Sequence, residues 1–373
     1  MTLRYCILAL GLLTSACNDN GKRIYLNDPE DATITPEGPW LDPNLFGKRR
    51  EVTIDTSQTG TYITEPVYDF PLLLRLDDTL IDFQSIGKQG EDLRFTDGDG
   101  YMYDHEIESF DTQTGAAVIW VKLPRVAPDT ADQVVVILYG TPSPESLPVP
   151  SPVFSEDNGF EAVWHLSDNA LNIENGFKDA TPNHLDATAA NLRPEDAASS
   201  GIAGGGVSLQ GASYLTATLM AAPPSSVTIS AWVKPRRPAG TILSIADGVV
   251  LLDGVTDAGP RGMYHAGGVW YETDGALPLD ESWHYVVYTT APDSALQQLF
   301  VDGALAAETR RSAPILYSIG YDHIAIGVHA NLDRLFFDGI IDEMRLSAIH
   351  RSPEWIMLSF ENQRLDKPGL VVF

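Results

Sequence analysis

The sequence predicts an all-β protein of two domains, a β-sandwich-like N-terminal domain followed by a C-terminal jelly roll. Three observations predict it. Short runs rich in β-branched and aromatic residues recur along the chain, as in Phe70 to Leu76, Ala117 to Val121 and Val134 to Tyr139. Turn signals such as Asp97-Gly98-Asp99-Gly100 and the hairpin signal Asp302-Gly303 separate them. No stretch sustains an apolar period of 3.6 residues, so no helices are expected.

The chain opens on an export signal. Arg4 precedes a short apolar run, Tyr5 to Leu13, and the small residues Thr14, Ser15 and Ala16 lead into Cys17. About nine apolar residues are too few for a membrane span, which needs roughly 20, so residues 1–16 read as a cleaved signal peptide. The stretch resembles a bacterial lipobox, with its Leu one position early at Leu13 and Thr14 in the usual place. That resemblance implies lipidation of Cys17 and a lipoprotein anchored at the cell envelope. Asn18 stands where some enteric lipoproteins carry an Asp that retains them at the inner membrane, which favours the outer membrane. An ordinary secretory signal that contains a cysteine is the alternative. Cys6 and Cys17 are the two cysteines, so the exported body has no disulfide and is held by its core alone.

Charge narrows the partners. The 24 basic and 51 acidic side chains leave a net −27. The excess is spread over both halves, with 7 basic and 18 acidic residues in 49–150 and 13 and 27 in 151–373. No basic patch is left to neutralise phosphates, which excludes nucleic acid as the expected ligand. Divalent cations and uncharged glycans remain compatible, and an acidic surface also serves solubility.

In order along the chain, residues 17–48 are polar and aperiodic and read as a tether. Residues 49–140 form the first β domain. Residues 141–152 hold five prolines in twelve positions and read as a semi-rigid spacer, because proline fixes φ and lacks a donor. Residues 153–373 form the second domain. Its expected strands are Ala162 to Leu166, Val207 to Leu209, Val227 to Val233, Thr241 to Ala246, Trp283 to Thr289, Leu299 to Val301, His323 to Gly327 and Gly339 to Ser347.

Residues 49–140 resemble the bacterial domain of unknown function 2341. The resemblance runs through Arg50 to Ile54, Asp69 to Leu76, Gly90 to Asp97, His105 to Glu108, Val118 to Pro124 and Leu138-Tyr139-Gly140. It implies exported bacterial proteins but no settled activity. The second domain resembles the concanavalin A-like, laminin G-like jelly roll. The residues carrying it include Ala162 to Leu166, Asp179 with Asn183, Gly205 to Leu209, Thr228 to Pro235, Trp283 to Val287, Phe300 to Gly303, and the closing run Phe337 to Ser347 with His350 to Ile356. This implies two packed antiparallel sheets that bind glycans or proteins through a concave face or rim loops, often with a structural calcium.

Candidate chemistry is sparse. Glucanases of this fold carry a Glu-x-Asp-x-(x)-Glu strand, because hydrolysis needs an acid and a nucleophile on one face. Glu156-Asp157 with Glu161 is the nearest cluster and has the wrong spacing. No Gly-x-Ser-x-Gly, His-Glu-x-x-His or phosphate loop occurs, so no enzymatic activity is expected. His105-Glu106-Ile107-Glu108 places polar groups on alternating faces of a strand and suits a solvated one.

Asp342 shares strand parity with Ile340, Met344 and Leu346, read as core. A carboxylate there needs hydrogen bonds or a metal. Together with Asp179 and Asn183 it forms a candidate oxygen-ligand set for calcium; the alternative is that Asp342 accepts backbone N–H bonds without metal. For a ligand, Tyr264, His265, Trp270 and Tyr271 form an aromatic patch able to stack on sugar rings, although strand alternation must turn some of them into the core. Trp232 and Trp283 are core by pattern. The expected function is non-catalytic recognition of a glycan or protein by the second domain. A structural or assembly role in envelope transport or secretion, through protein contacts, is the alternative.

Overall fold

The structure is a computed structural model. It describes residues 39–373 apart from 168–175, 219–223, 238, 247, 253–258, 276, 292–294, 311–312, 318–321 and 367–368, together with a short antiparallel pair, Ala16–Cys17 with Arg23–Ile24. Most of the expected signal peptide and tether therefore lies outside the described residues, while Cys17 falls in that short pair.

The first domain runs through β1 (Lys48–Ile54), β2 (Val67–Asp77), β3 (Arg94–Thr96), β4 (Met102–Tyr103), β5 (His105–Asp111), β6 (Ala116–Val126) and β7 (Gln133–Tyr139). Two antiparallel sheets result, one containing β1-β7-β3-β4 and the other β2-β6-β5. Alternation along β2 explains why it is buried on both faces. Phe70, Leu72, Leu74 and Leu76 share one parity and join the core of the domain. Leu73 and Arg75 point the other way. The backbone of Leu73 exchanges hydrogen bonds of 2.7 and 3.0 Å with the Asn362 side chain, and Arg75 donates to the carbonyls of Ile202 and Gln363.

The proline-rich segment 141–152 is tied along this domain. Leu147 is buried with Leu41, Phe46 and Met102, Arg94 donates to the Pro148 carbonyl at 3.0 Å, and the Ser151 N–H donates to Asp104 at 2.7 Å.

The second domain comprises β8 (Phe160–Trp164), β9 (Thr188–Ala190), β10 (Ser199–Ser200), β11 (Gly205–Leu209), β12 (Tyr214–Thr218), β13 (Val227–Pro235), β14 (Thr241–Ile245), β15 (Val249–Leu252), β16 (Arg261–Ala266), β17 (Val269–Asp274), β18 (His284–Ala291), β19 (Leu296–Val301), β20 (Ala304–Arg310), β21 (His323–Ile326) and β22 (Gly339–Ser347). One sheet is ordered β10-β11-β22-β13-β18-β19-β20, with β8 also paired to β22; the other is β9-β12-β21-β14-β15-β16-β17. Trp164, Leu209, Ile229, Ile245, Tyr264, Tyr288, Ile341 and Met344 fill the space between them.

One element departs from the expectation of no helices. Helix α1 (Pro353–Gln363) starts where Ser352 accepts from the Trp355 N–H and Pro353 takes the first position. It buries Trp355, Ile356, Leu358, Ser359, Asn362 and Gln363, residues on more than one side, so its sequence lacks a single apolar stripe. The helix lies between β2 and the outer face of the eight-stranded sheet. Trp355 meets Phe70 edge-on at 5.9 Å, while Trp232 of β13 stacks on Phe360 at 5.7 Å and donates to Gln363. Beyond it, β23 (Val371–Val372) returns to pair with β1 through Ile54 and Thr53. One continuous core thus joins the first domain, α1 and the outer face of the jelly-roll sheet, including Val163, Trp232, Tyr285, Val287 and Phe300.

Candidate functional site

The seven-stranded sheet presents the aromatic patch on a hairpin. Strands β16 and β17 are joined by Gly267-Gly268, both at positive φ (56° and 81°), the two-residue turn that suits strand twist. Register then sorts the four residues. Tyr264 lies opposite Tyr271, and the two stack at 5.1 Å with planes 7° apart. Tyr264 is fully buried in the sandwich and Tyr271 packs against that core. This pair faces inward and corrects the expectation of a four-residue patch. His265 lies opposite Trp270 on the other face, with rings 5.3 Å apart and both side chains half-buried. The same face carries Arg261, Met263, Glu272 and Asp274, and Arg261 pairs with both acids.

The expected cation ligands are engaged separately. Asp179 accepts from the N–H groups of Val163, Thr181 and Leu185 at 2.9 Å each, and from the Thr181 hydroxyl. Asn183 donates to the Glu161 carbonyl. Asp342 reaches a different loop, accepting from Ile202 and Ala203, and from Glu343. Among the described residues, Asp179 and Asp342 share no hydrogen-bond partner.

Nor does Asp342 share a face with Met344. Strand β22 bulges against β13, where Trp232 pairs with Asp342 and Ser230 with Arg345. Two residues, Glu343 and Met344, therefore oppose one, and Glu343 adopts a left-handed φ of 49°. Ile341 and Met344 point into the sandwich, and the bulge turns both Asp342 and Glu343 outward.

These outward groups meet a second bulge. On β5 the pairing with β6 shifts between Ile107 and Ser109, leaving Glu108 as the extra residue. His105, Glu106 and Glu108 are consequently not a solvated strand. His105 packs on Phe95 in the first domain's core, and burial together with Arg94 depresses it to about 4. Glu108 is driven into the seam between the two domains, where it receives the Trp120 indole N–H at 2.9 Å.

His165 completes the cluster. Its Nδ1 lies 2.7 Å from Glu343 and 3.8 Å from Glu108, and its Nε2 lies 3.5 Å from Glu106. Arg345 binds Glu343 through two N–H groups at 3.1 and 2.5 Å. The ring of Trp120 supports both cations, with the imidazole stacked at 5.7 Å and the guanidinium carbon 4.4 Å from its centroid.

Electrostatics follow from this arrangement. Burial would strip the proton from His165, but Glu343 and Glu108 outweigh it and hold the imidazole well above its ordinary value. Burial pushes Glu108 up to about 7, and it pushes Asp342 well above the carboxylate range with Glu343 adding to the effect. Glu343, though buried, is held low by His165 and Arg345. Glu108, His165 and Glu343 are the one set among the described residues able to offer three close metal-binding atoms. Arg345 supplies positive charge beside them, through Glu343. Sequence reasoning missed the cluster because Glu108 and Glu343 sit at bulges, which alternation cannot anticipate.

Residues 209–357 match the concanavalin A-like lectin/glucanases superfamily, and residues 89–166 match the domain of unknown function DUF2341. The second domain is a concanavalin A-like jelly roll. No curated protein matches the chain. Among solved structures, domain 4 of AbnA, an extracellular arabinanase from Geobacillus stearothermophilus in complex with arabinotriose, is similar at 18% identity and a TM-score of 0.43, over 53% of this chain and 97% of that one. The binding domain of botulinum neurotoxin serotype D is similar at 13% identity and a TM-score of 0.42, over 55% of this chain and 52% of that one. The chain thus spans about half the length of the toxin structures it matches. The concanavalin A-like domain has one outer face sealed by the DUF2341 region and α1, and His165, Glu108 and Glu343, clustered at that seam, are at most 10% exposed. Its other sheet carries the half-buried His265/Trp270 pair on its outer face.

Proposed function

We propose that this chain is a non-catalytic recognition protein of an exported, Cys17-anchored lipoprotein, binding an uncharged glycan on the outer face of the seven-stranded sheet. The observation that carries the reading is the asymmetry of the jelly roll. Its eight-stranded sheet is closed by Trp232, Tyr285 and Phe300 packing under α1 and the first domain. The seven-stranded sheet keeps a half-buried Trp270 and His265 beside Arg261, Glu272 and Asp274. An aromatic face flanked by hydrogen-bonding groups suits a sugar ring, which presents one apolar face and a rim of hydroxyls. The acidic surface repels anionic polymers, which leaves neutral glycans.

The test uses the full chain carrying Cys17→Ser. That substitution is expected to move the protein from the membrane fraction to the soluble fraction. On a glycan array the soluble protein binds neutral oligosaccharides, and Trp270→Ala weakens binding by at least about tenfold, the range of a lost aromatic anchor. Absence of any glycan ligand, or binding unchanged by Trp270→Ala, would sink the reading.

A further inference from the structure

We propose that the seam between the two domains binds one divalent transition metal of the zinc class, held by Glu108 of the first domain with His165 and Glu343 of the jelly roll. The donors are one imidazole nitrogen and two carboxylate oxygens, and these atoms lie within 4.8 Å of one another. Tetrahedral zinc holds such ligands at about 2.0–2.2 Å, which sets neighbouring ligand atoms about 3.3 Å apart. His165 Nδ1 stands 2.7 Å from Glu343 Oε1 and 3.8 Å from Glu108 Oε2, on either side of that spacing. Calcium and magnesium ask for about six or more oxygens, whereas an imidazole among the donors favours the zinc class.

What points to a cation is the acceptor left over once the hydrogen bonds are assigned. Arg345 gives both of its bonds within the cluster to Glu343, through Nε and Nη2, and its buried Nη1 has no partner. Its charge therefore sits on one carboxylate of the set. Arg75 is committed to the carbonyls of Ile202 and Gln363. Glu108, whose side chain is 1% exposed, receives the Trp120 indole N–H at Oε2, while its Oε1 makes no hydrogen bond. Gly204, at a φ of 68°, lies against that oxygen, and a Cβ there would stand 2.3 Å from it. An enclosed carboxylate oxygen without a donor is costly. A bound ion supplies the missing partner.

The groups behind the ligands suit a metal centre. An imidazole that binds metal through one nitrogen donates its other N–H to a carboxylate or carbonyl, and ligating carboxylates are hydrogen-bonded in turn. His165 sets Nε2 3.5 Å from Glu106, Arg345 binds Glu343, and Trp120 binds Glu108. Glu106 is 29% exposed and marks the way in from water. Because the ligands come from both domains, the ion closes the seam. The chain beyond Cys17 has no cysteine, and a metal between the domains takes the place of a disulfide there.

Zn²⁺ titrated by calorimetry into the full chain carrying Cys17→Ser, first stripped with a chelator, should bind one ion per chain and raise its melting temperature. Ca²⁺ should do neither. Anomalous diffraction at the zinc edge should place the ion between Glu108, His165 and Glu343. Glu108→Gln keeps the shape of the side chain and removes its charge, and should weaken binding more than about a hundredfold; Glu106→Gln, behind the imidazole, should weaken it about tenfold. His284→Gln, at a histidine flanked by Asp302 and Asp280, should leave the affinity unchanged. If Glu108→Gln does not fold, the anomalous peak and Glu106→Gln carry the test. A folded chain that takes up no Zn²⁺, a peak elsewhere, or an affinity unmoved by Glu106→Gln and by a folded Glu108→Gln would overturn the proposal.

Discussion

The jelly roll has two outer faces, both bearing tryptophan, and they do opposite things. On the eight-stranded sheet, Trp232 is 2% exposed, lies against Tyr285 and Phe360, and has its indole N–H taken up by Gln363. On the seven-stranded sheet, Trp270 is half-buried against His265, with the charged side chains of Arg261, Glu272 and Asp274 on the same face. Aromatic content therefore does not separate a docking face from a binding face. What separates them is cover: α1 and the first domain pack on Trp232, Tyr285 and Phe300, whereas the face of Trp270 carries the charged side chains of Arg261, Glu272 and Asp274.

The sharpest way to break the comparison is to remove each tryptophan. Trp232→Ala should cost about 3–5 kcal/mol, the range for truncating a large buried aromatic whose site cannot collapse, and it should lower the unfolding midpoint of the whole chain because both domains share that core. Trp270→Ala should cost less than about 1 kcal/mol in stability, so that its effect on glycan binding is read in a folded protein. Chemical denaturation of both variants checks the contrast. Equal losses would show that the two faces are equally structural.

A second test separates ligand chemistry from scaffolding in the rim. Asp179 accepts four hydrogen bonds that pin residues 181–185 to β8, so Asp179→Ala leaves buried donors without a partner and should cost about 3 kcal/mol. Because the oxygens of Asp179 and Asp342 are spent on backbone N–H groups, millimolar Ca²⁺ and EDTA should give the metal-stripped chain the same melting temperature. A clear rise with Ca²⁺ would restore these carboxylates as a cation site.

Much of this was legible in the sequence, and the misses share a cause. Gly339 to Ser347 and the strong runs at Phe70, Ala117, Val134 and Val227 all form strands at their expected places, because β-branched alternation reports directly on a half-buried ladder. Alternation also fails where the chain departs from it by one residue. Asp342 was placed on the core face by counting from Ile340, but the bulge at Glu343 makes Ile341 the inward residue. The bulge at Glu108 similarly hid a buried carboxylate inside what reads as a solvated strand. Period two also divides the four-residue hairpin patch between faces, sending Tyr264 and Tyr271 inward and leaving His265 and Trp270 on the outer one. Helix α1 escaped because it is enclosed from several sides and so shows no stripe. The seam itself joins residues more than 170 positions apart, such as His165 and Glu343, and no local pattern carries that information.

The smallest expected effect belongs to a partly buried histidine at the rim. His284 stands at the rim of the jelly roll, its Nδ1 2.8 Å from Asp302 and its Nε2 3.1 Å from Asp280. Its affinity for a proton is raised, chiefly by the hydrogen bond to Asp302 and against the opposing effect of burial. A histidine raised in the folded state stabilises fully below its unfolded value near 6.5 and loses that contribution as pH climbs through the folded value. Water reaches this site, so screening holds the contribution below about 1 kcal/mol. His284→Gln should therefore flatten slightly the fall in melting temperature between about pH 6 and about pH 8. An unaltered fall in the variant would show that Asp302 and Asp280 lend the His284 imidazole no net stabilisation.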